Sequence, residues 1–216
     1  MVGTLSARIS AVNRRDLFAA VFAFCFVADV GCETRRGPAD HSAATGASEL
    51  SASQLAAQDS FRRPDRLLLA LGIARGQTVA EIGAGGGYLT RHLAQAVGPS
   101  GKVVATDIDK AALAALRSRM QAAFQVETRL VPRDASGLEL SRYDVIVLAD
   151  VVHLLPQPDR YLPALFPSLR PGGHLYVVGR EDRMPGLAQA AKRAGLQIRP
   201  VQADLPAQFV IELLLP

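Results

Sequence analysis

The 216-residue chain holds two cysteines, Cys25 and Cys32, and none beyond them. Any domain built from the rest of the chain therefore has no disulfide, no cysteine-bound zinc and no thiol nucleophile. Charge of one sign is scarce too: 24 Lys and Arg against 20 Asp and Glu leave +4. The cations are not gathered into the cluster that a nucleic-acid surface requires, so nucleic acid is not expected as a partner. There is no heptad pattern and no internal repeat. The apolar run 17–28 is shorter than the roughly 20 residues of a membrane-spanning helix. One glycine is also missing where it would matter, because Tyr88 stands at the third position of a dinucleotide-binding G-x-G-x-x-G spacing. With 49% hydrophobic residues, what remains is one α/β domain with a sizeable core, plus appendages.

What is there begins at Val79-Ala80-Glu81-Ile82-Gly83-Ala84-Gly85-Gly86-Gly87-Tyr88. An apolar run with strand propensity breaks into glycines and then enters a helical segment, which predicts strand, tight turn and helix. Glycines at 83, 85 and 87 admit positive φ and let a ligand approach main-chain atoms. Glu81, two residues before the first glycine, would repel a pyrophosphate and could accept hydrogen bonds from a cationic ligand.

Further strands are expected over 102–106, 126–131, 144–149 and 174–178, and helices over 49–63, from Pro64 to Leu71, and over 88–97, 110–124, 159–169 and 186–194. Two short apolar runs, 196–201 and 209–215, with Pro206 between them, predict a closing antiparallel hairpin. Strands alternating with helices make a doubly wound, mostly parallel seven-strand sheet. Arg170-Pro171-Gly172-Gly173 is expected to stop a helix and start a strand.

The turn, read as acidic-x-G-x-G-x-G after the first strand, resembles the first motif of the class I S-adenosyl-L-methionine (SAM)-dependent methyltransferases, and matches it at every motif position. The resemblance extends from about Phe61 to the end. It implies a Rossmann-like methyltransferase fold, SAM as cofactor, and a cofactor site made of Glu81, Gly83, Ala84, Gly85, Gly87, Asp107, Ile108, Asp134, Ala135 and Asp150. Ligands of such sheets lie outside the carboxyl ends of the strands at the switch point. Asp107, at the end of the second strand, is the expected acceptor for both ribose hydroxyls, with Ile108 on the adenine. A helix cap is its structural alternative, but Asp109 is better placed for that. Asp134-Ala135 follows the third strand, where the family places an acidic residue against the adenine amino group; a solvated turn is the alternative. Asp150 ends the fourth strand beside the expected transfer point, where a capping carboxylate would also fit. His153, three residues on, is the histidine near the predicted site and the candidate base, or else a structural side chain beside Leu154 and Leu155. No metal ligand set is expected.

Residues 1–32 read as an export signal or membrane anchor. Arg14-Arg15 precedes the apolar run and resembles a twin-arginine signal, and Cys32 after Val30-Gly31 resembles a lipidation site. Residues 33–53, rich in Gly, Ala, Ser and Thr, read as a flexible tether, and 54–216 as the catalytic domain. The expectation is a SAM-dependent methyltransferase in the cell envelope, possessing a small-molecule, lipid or protein acceptor. An exported SAM-binding protein without transferase activity is the alternative. A nicotinamide-dependent oxidoreductase is disfavoured by Tyr88 and Glu81.

Overall fold

In the computed structural model of the chain, which describes residues 59, 60 and 62–216, seven strands form one sheet. They are β1 (Thr78–Ile82), β2 (Lys102–Asp107), β3 (Val126–Leu130), β4 (Tyr143–Ala149), β5 (Leu169–Arg180), β6 (Gln197–Pro200) and β7 (Gln208–Leu214). Their order is β3-β2-β1-β4-β5-β7-β6. β1 to β5 pair in parallel, while β7 pairs antiparallel with β5 and with β6. The helices are α1 (Pro64–Ala70), α2 (Tyr88–Val97), α3 (Lys110–Arg119), the short α4 (Pro158–Tyr161) and α5 (Met184–Arg193). This is the expected doubly wound sheet with a C-terminal antiparallel pair. The export signal, the tether and nearly all of the helix expected over 49–63 lie outside the described residues.

Parallel strands covered on both faces need apolar side chains on both, and β1 and β4 have them. Ala80, Ile82, Ile146 and Leu148 pack toward Leu187 and Ala191 of α5. Val79, Val145 and Val147 point the other way, with Leu67, Leu71, Leu89, Leu93 and Val97 of α1, its C-terminal flank and α2. Full burial of each such aliphatic side chain contributes about 1.5–3 kcal/mol, so the sheet centre fixes where its carboxyl ends lie. Because β2 and β4 flank β1 on opposite sides, the strand order reverses at β1, and a crevice opens above its carboxyl end.

Three expected boundaries are corrected. The helix over 110–124 stops at Arg119, because Met120 leaves the helical region (φ −106°, ψ 18°) and the Ala123 N–H to Met120 carbonyl bond (2.8 Å) turns the chain toward β3. The helix over 159–169 is instead α4 followed by a 3-10 stretch, Pro163–Ser168, since Pro163 and Pro167 lack the N–H a continuous α-helix needs. Finally, Arg170-Pro171-Gly172-Gly173 does not precede β5 but lies within it. The β4–β5 register slips there, between Tyr143 and Val145, and the resulting bulge absorbs the proline.

Candidate active site

The glycine turn is held by its own amides. Gly83 and Ala84 N–H donate to the Thr106 carbonyl (2.8 and 3.0 Å), and Gly85 N–H donates to Asp107 Oδ2 (2.7 Å). All three alternate glycines have positive φ, but their surroundings differ. A Cβ on Gly83 would lie 2.6 Å from Val151 Cγ2, and one on Gly87 would lie 2.7 Å from Leu116 Cγ. Those two glycines make room for neighbouring side chains. A Cβ on Gly85 would meet nothing within 4 Å, so this is the position where the turn leaves its backbone open.

Gly85 faces a cavity of about 280 Å³ at the carboxyl ends of β1 to β4. Of the predicted residues, Gly83, Gly85, Asp107, Ile108 and Asp150 line it together. Asp107 Oδ1 accepts from Asp109 N–H (2.8 Å) and Oδ2 from Gly85, so each oxygen has capacity left for a second donor. Asp109, as expected, is the helix cap: its Oδ1 accepts from Ala111 and Ala112 N–H (2.7 and 3.2 Å). Ile108 is half-exposed, which presents a large apolar side chain at the cavity rim.

The remaining cofactor candidates are placed differently. Glu81 is buried beneath the turn and accepts a hydrogen bond from Thr90 Oγ1 of α2 (2.6 Å). Burial pushes its carboxyl up to about 8; the Thr90 hydrogen bond opposes this and the charge of Asp107 adds to it. Ala84 is buried under the turn, and Gly87 faces Leu116. Asp134 and Ala135 are not part of the cavity wall, which is formed instead by Val131, Pro132 and Arg133 one step earlier. Tyr161 and Leu155 also line it and were not foreseen; burial pushes the Tyr161 phenol up to about 12. Arg133 stood next to a predicted residue, whereas Tyr161 was hidden inside a segment expected to be one helix.

A second cavity, of about 270 Å³, opens on the α5 side of the sheet. Asp150, Val151 and Leu155 belong to the walls of both cavities. His153 lines only the second of them, from an exposed 3-10 turn, Val152–Leu154. Asp150 has a left-handed backbone (φ 55°), while its N–H donates to the Val178 carbonyl (2.9 Å). Such conformations cost of order 1–3 kcal/mol and cluster at ligand sites. Arg62 Nη1 stands 3.7 Å from Asp150 Oδ2, with its guanidinium over the Tyr88 ring, 5.1 Å from the centroid. Tyr88 in turn donates its hydroxyl to Asp59 Oδ1 (2.7 Å).

The methyltransferase domain family matches residues 80–175. The ubiquinone/menaquinone biosynthesis C-methyltransferase UbiE of Ectopseudomonas mendocina is 32% identical over 124 residues, which is 56% of this chain and 48% of the relative. The chain thus spans about half the length of the relatives it matches. A SAM-dependent methyltransferase of Aquifex aeolicus superposes with a TM-score of 0.66 at 19% identity, over 76% of this chain and 98% of that one. Fibrillarin of Aeropyrum pernix, solved with natively bound SAM, gives a TM-score of 0.54 at 16% identity, over 71% and 74%. At these identities the structures speak for the fold. Residues 80–175 are therefore similar to the methyltransferase domain family, and the seven-strand sheet has the Rossmann-like methyltransferase fold.

Proposed function

We propose that the chain is a SAM-dependent methyltransferase with a small-molecule acceptor, its cofactor lying over β1 and β2 and its acceptor on the far side of Asp150. The observation that carries this is the pairing of an open Gly85 with Asp107 in a cavity that shares the wall at Asp150 with a second one. The residues present fit the cofactor. Gly85 leaves a cradle that a Cβ would fill, Asp107 has acceptor capacity for two ribose hydroxyls, and Ile108 offers an apolar face to a base. The names of the relatives, which place them in quinone biosynthesis, favour a small molecule as acceptor.

When bound, the cofactor supplies a methyl group on an electron-poor sulfur. Gly85, Asp107 and Ile108 would hold that cofactor, and it would supply its methyl group to an acceptor held at Asp150. The chain's own part is to hold the two reactants in line at Asp150, against the wall that Val151 and Leu155 share between the two cavities, so effective molarity does most of the work. His153 takes the proton that a protonated acceptor must lose.

The test is incubation of the full chain with methyl-labelled SAM and a small-molecule extract, after calorimetric binding of SAM. A labelled small product is expected. SAM binding without any labelled product would favour the non-catalytic binding protein instead.

We also propose a cell-envelope location, motivated by Arg14-Arg15 ahead of a short apolar run and by Cys32. Replacing both arginines with lysine should keep the protein in the cytoplasm, and Cys32→Ala should release it from the membrane. A wild-type product recovered from the cytoplasm with residues 1–31 still attached would contradict this.

A further inference from the structure

Tyr161, the last residue of α4, belongs to two environments at once. Its side chain packs against the core cluster that β4, β5 and α5 share, and it also lines the cofactor cavity. Phenylalanine would supply the packing of the ring equally well, so the hydroxyl is the part that needs an explanation. A tyrosine hydroxyl withdrawn from water usually finds a partner. Tyr88 gives its hydroxyl to Asp59 Oδ1 (2.7 Å), and Tyr143 gives its own to Glu139. The Tyr161 hydroxyl bonds to no protein group. Among the described residues no buried side-chain oxygen or nitrogen lacks a partner, so this hydroxyl is not sealed in, and its open side is the cavity.

The other polar side chains of the wall are Thr106, Asp107, Arg133 and Asp150. Two of these are carboxylates, which when ionised accept hydrogen bonds and cannot donate them. Thr106 Oγ1 already donates to the Glu81 carbonyl (3.4 Å), and Arg133 is exposed to solvent. Among the described residues Tyr161 is therefore the half-buried donor of this wall that has nothing to donate to. Burial pushes its phenol up to about 12, so the proton stays on oxygen throughout the neutral range and the group is a donor, not a base. Such a donor matches the atoms of a nucleoside that carboxylates cannot serve, namely ring nitrogens and oxygens that carry lone pairs and no proton.

We propose that Tyr161 is a ligand-contacting residue of this cavity, its O–H donating to a lone pair of bound SAM, or of the demethylated product, that the carboxylates of the wall cannot serve. This rests on the SAM-dependent reading of the cavity.

The experiment is calorimetry of S-adenosylhomocysteine binding to the full chain, paired with circular dichroism melting, for wild type, Tyr161→Phe and Tyr176→Phe. Tyr176 of β5 is the control, because its hydroxyl also bonds to no protein group and it lies outside this wall. Tyr161→Phe should bind S-adenosylhomocysteine about three- to tenfold more weakly, the loss of one neutral hydrogen bond. It should melt no lower than wild type, since removing a hydroxyl without a protein partner costs the fold nothing. Tyr176→Phe should match wild type in affinity. Unchanged affinity in Tyr161→Phe, or an equal loss in Tyr176→Phe, would overturn the proposal and leave the cofactor reading standing. A lowered melting temperature in Tyr161→Phe, or failure of that variant to fold, would make the hydroxyl structural and overturn it as well. If wild type does not bind S-adenosylhomocysteine, the cofactor reading falls and this proposal falls with it.

Discussion

The two cavities that meet at Asp150 are built from different material. The one over β1 and β2 is shaped by main chain: its turn amides are tied to Thr106 and Asp107, and its open position is a glycine. The one over β4 and β5 is shaped by side chains from strand, 3-10 turn and helix, with an aromatic ring laid against a strand glycine. A main-chain site tolerates little variation in its glycines and serves one ligand; a side-chain site can be re-lined without disturbing the sheet. This suits a constant cofactor beside a variable acceptor.

The sharpest way to break the comparison is within the turn itself. Gly83→Val forces a side chain onto Val151 at a positive-φ position, so overpacking and backbone strain together should lower unfolding free energy by about 2–5 kcal/mol. Gly85→Val carries only the backbone strain, about 1–2 kcal/mol, yet fills the cradle and should abolish SAM binding. Denaturant melts and calorimetry on the two variants would show whether fold and binding separate in this way. Equal loss of stability in both would mean that Gly85 is as tightly packed as Gly83.

Glu81 tests whether the turn is held from below by an uncharged group. Its folded pKa of about 8 lies above its ordinary 4.5. For an acid shifted upward, the unfolded state loses its proton first as pH rises. The stabilising contribution is therefore complete below about pH 4.5, falls between 4.5 and 8, and is level above. At 1.36 kcal/mol per unit, the loss by pH 7 is roughly 3 kcal/mol. Glu81→Gln keeps an acceptor for Thr90 and removes this slope, so its stability relative to wild type should rise by that order between pH 4.5 and 7. A flat difference curve would show that Glu81 titrates normally.

Asp107→Ala should weaken SAM binding by about 1.5–3 kcal/mol, the range for a hydrogen-bond partner that carries charge. The same substitution removes the acceptor of Gly85 N–H, so Asp107→Asn is the sharper comparison. It retains an acceptor for the turn while losing the charge. Unchanged calorimetric affinity in both variants would remove Asp107 from the cofactor site.

These differences explain what the sequence disclosed. Glycine spacing and a carboxylate at the end of the next strand are local patterns, so the turn, Asp107 and the capping role of Asp109 could all be read from residue order. The doubly wound, mostly parallel sheet followed from the alternation of apolar runs with helices. The second cavity was not legible, because Val177, Gly186 and Phe209 come from three separate elements and only the fold brings them together. Tyr161 was missed for a related reason. Pro163 and Pro167 divide a segment whose composition looks helical, and Tyr161, at the end of the short α4 that remains, lines the cofactor cavity. Glu81 matches the motif in sequence, and its buried side chain accepts a hydrogen bond from Thr90 beneath the turn, a contact that residue order does not disclose.

The smallest expected effect belongs to His153, where the two cavities differ most in what a substitution can reach. His153 lines the second cavity alone, from an exposed turn, and makes no part of the main-chain cradle. His153→Ala should therefore leave SAM affinity unchanged and lower kcat about tenfold, below the usual range for a positioned acid or base because water reaches this exposed site and can take the proton in its place. A structural role would move stability and leave the pH profile of kcat as it is, whereas a base would remove the limb at which the rate falls on the acid side. Asp150→Asn is the companion measurement. Asp150 belongs to both walls, so it should lower SAM affinity and turnover together, and a variant that changed only one would assign this carboxylate to a single cavity.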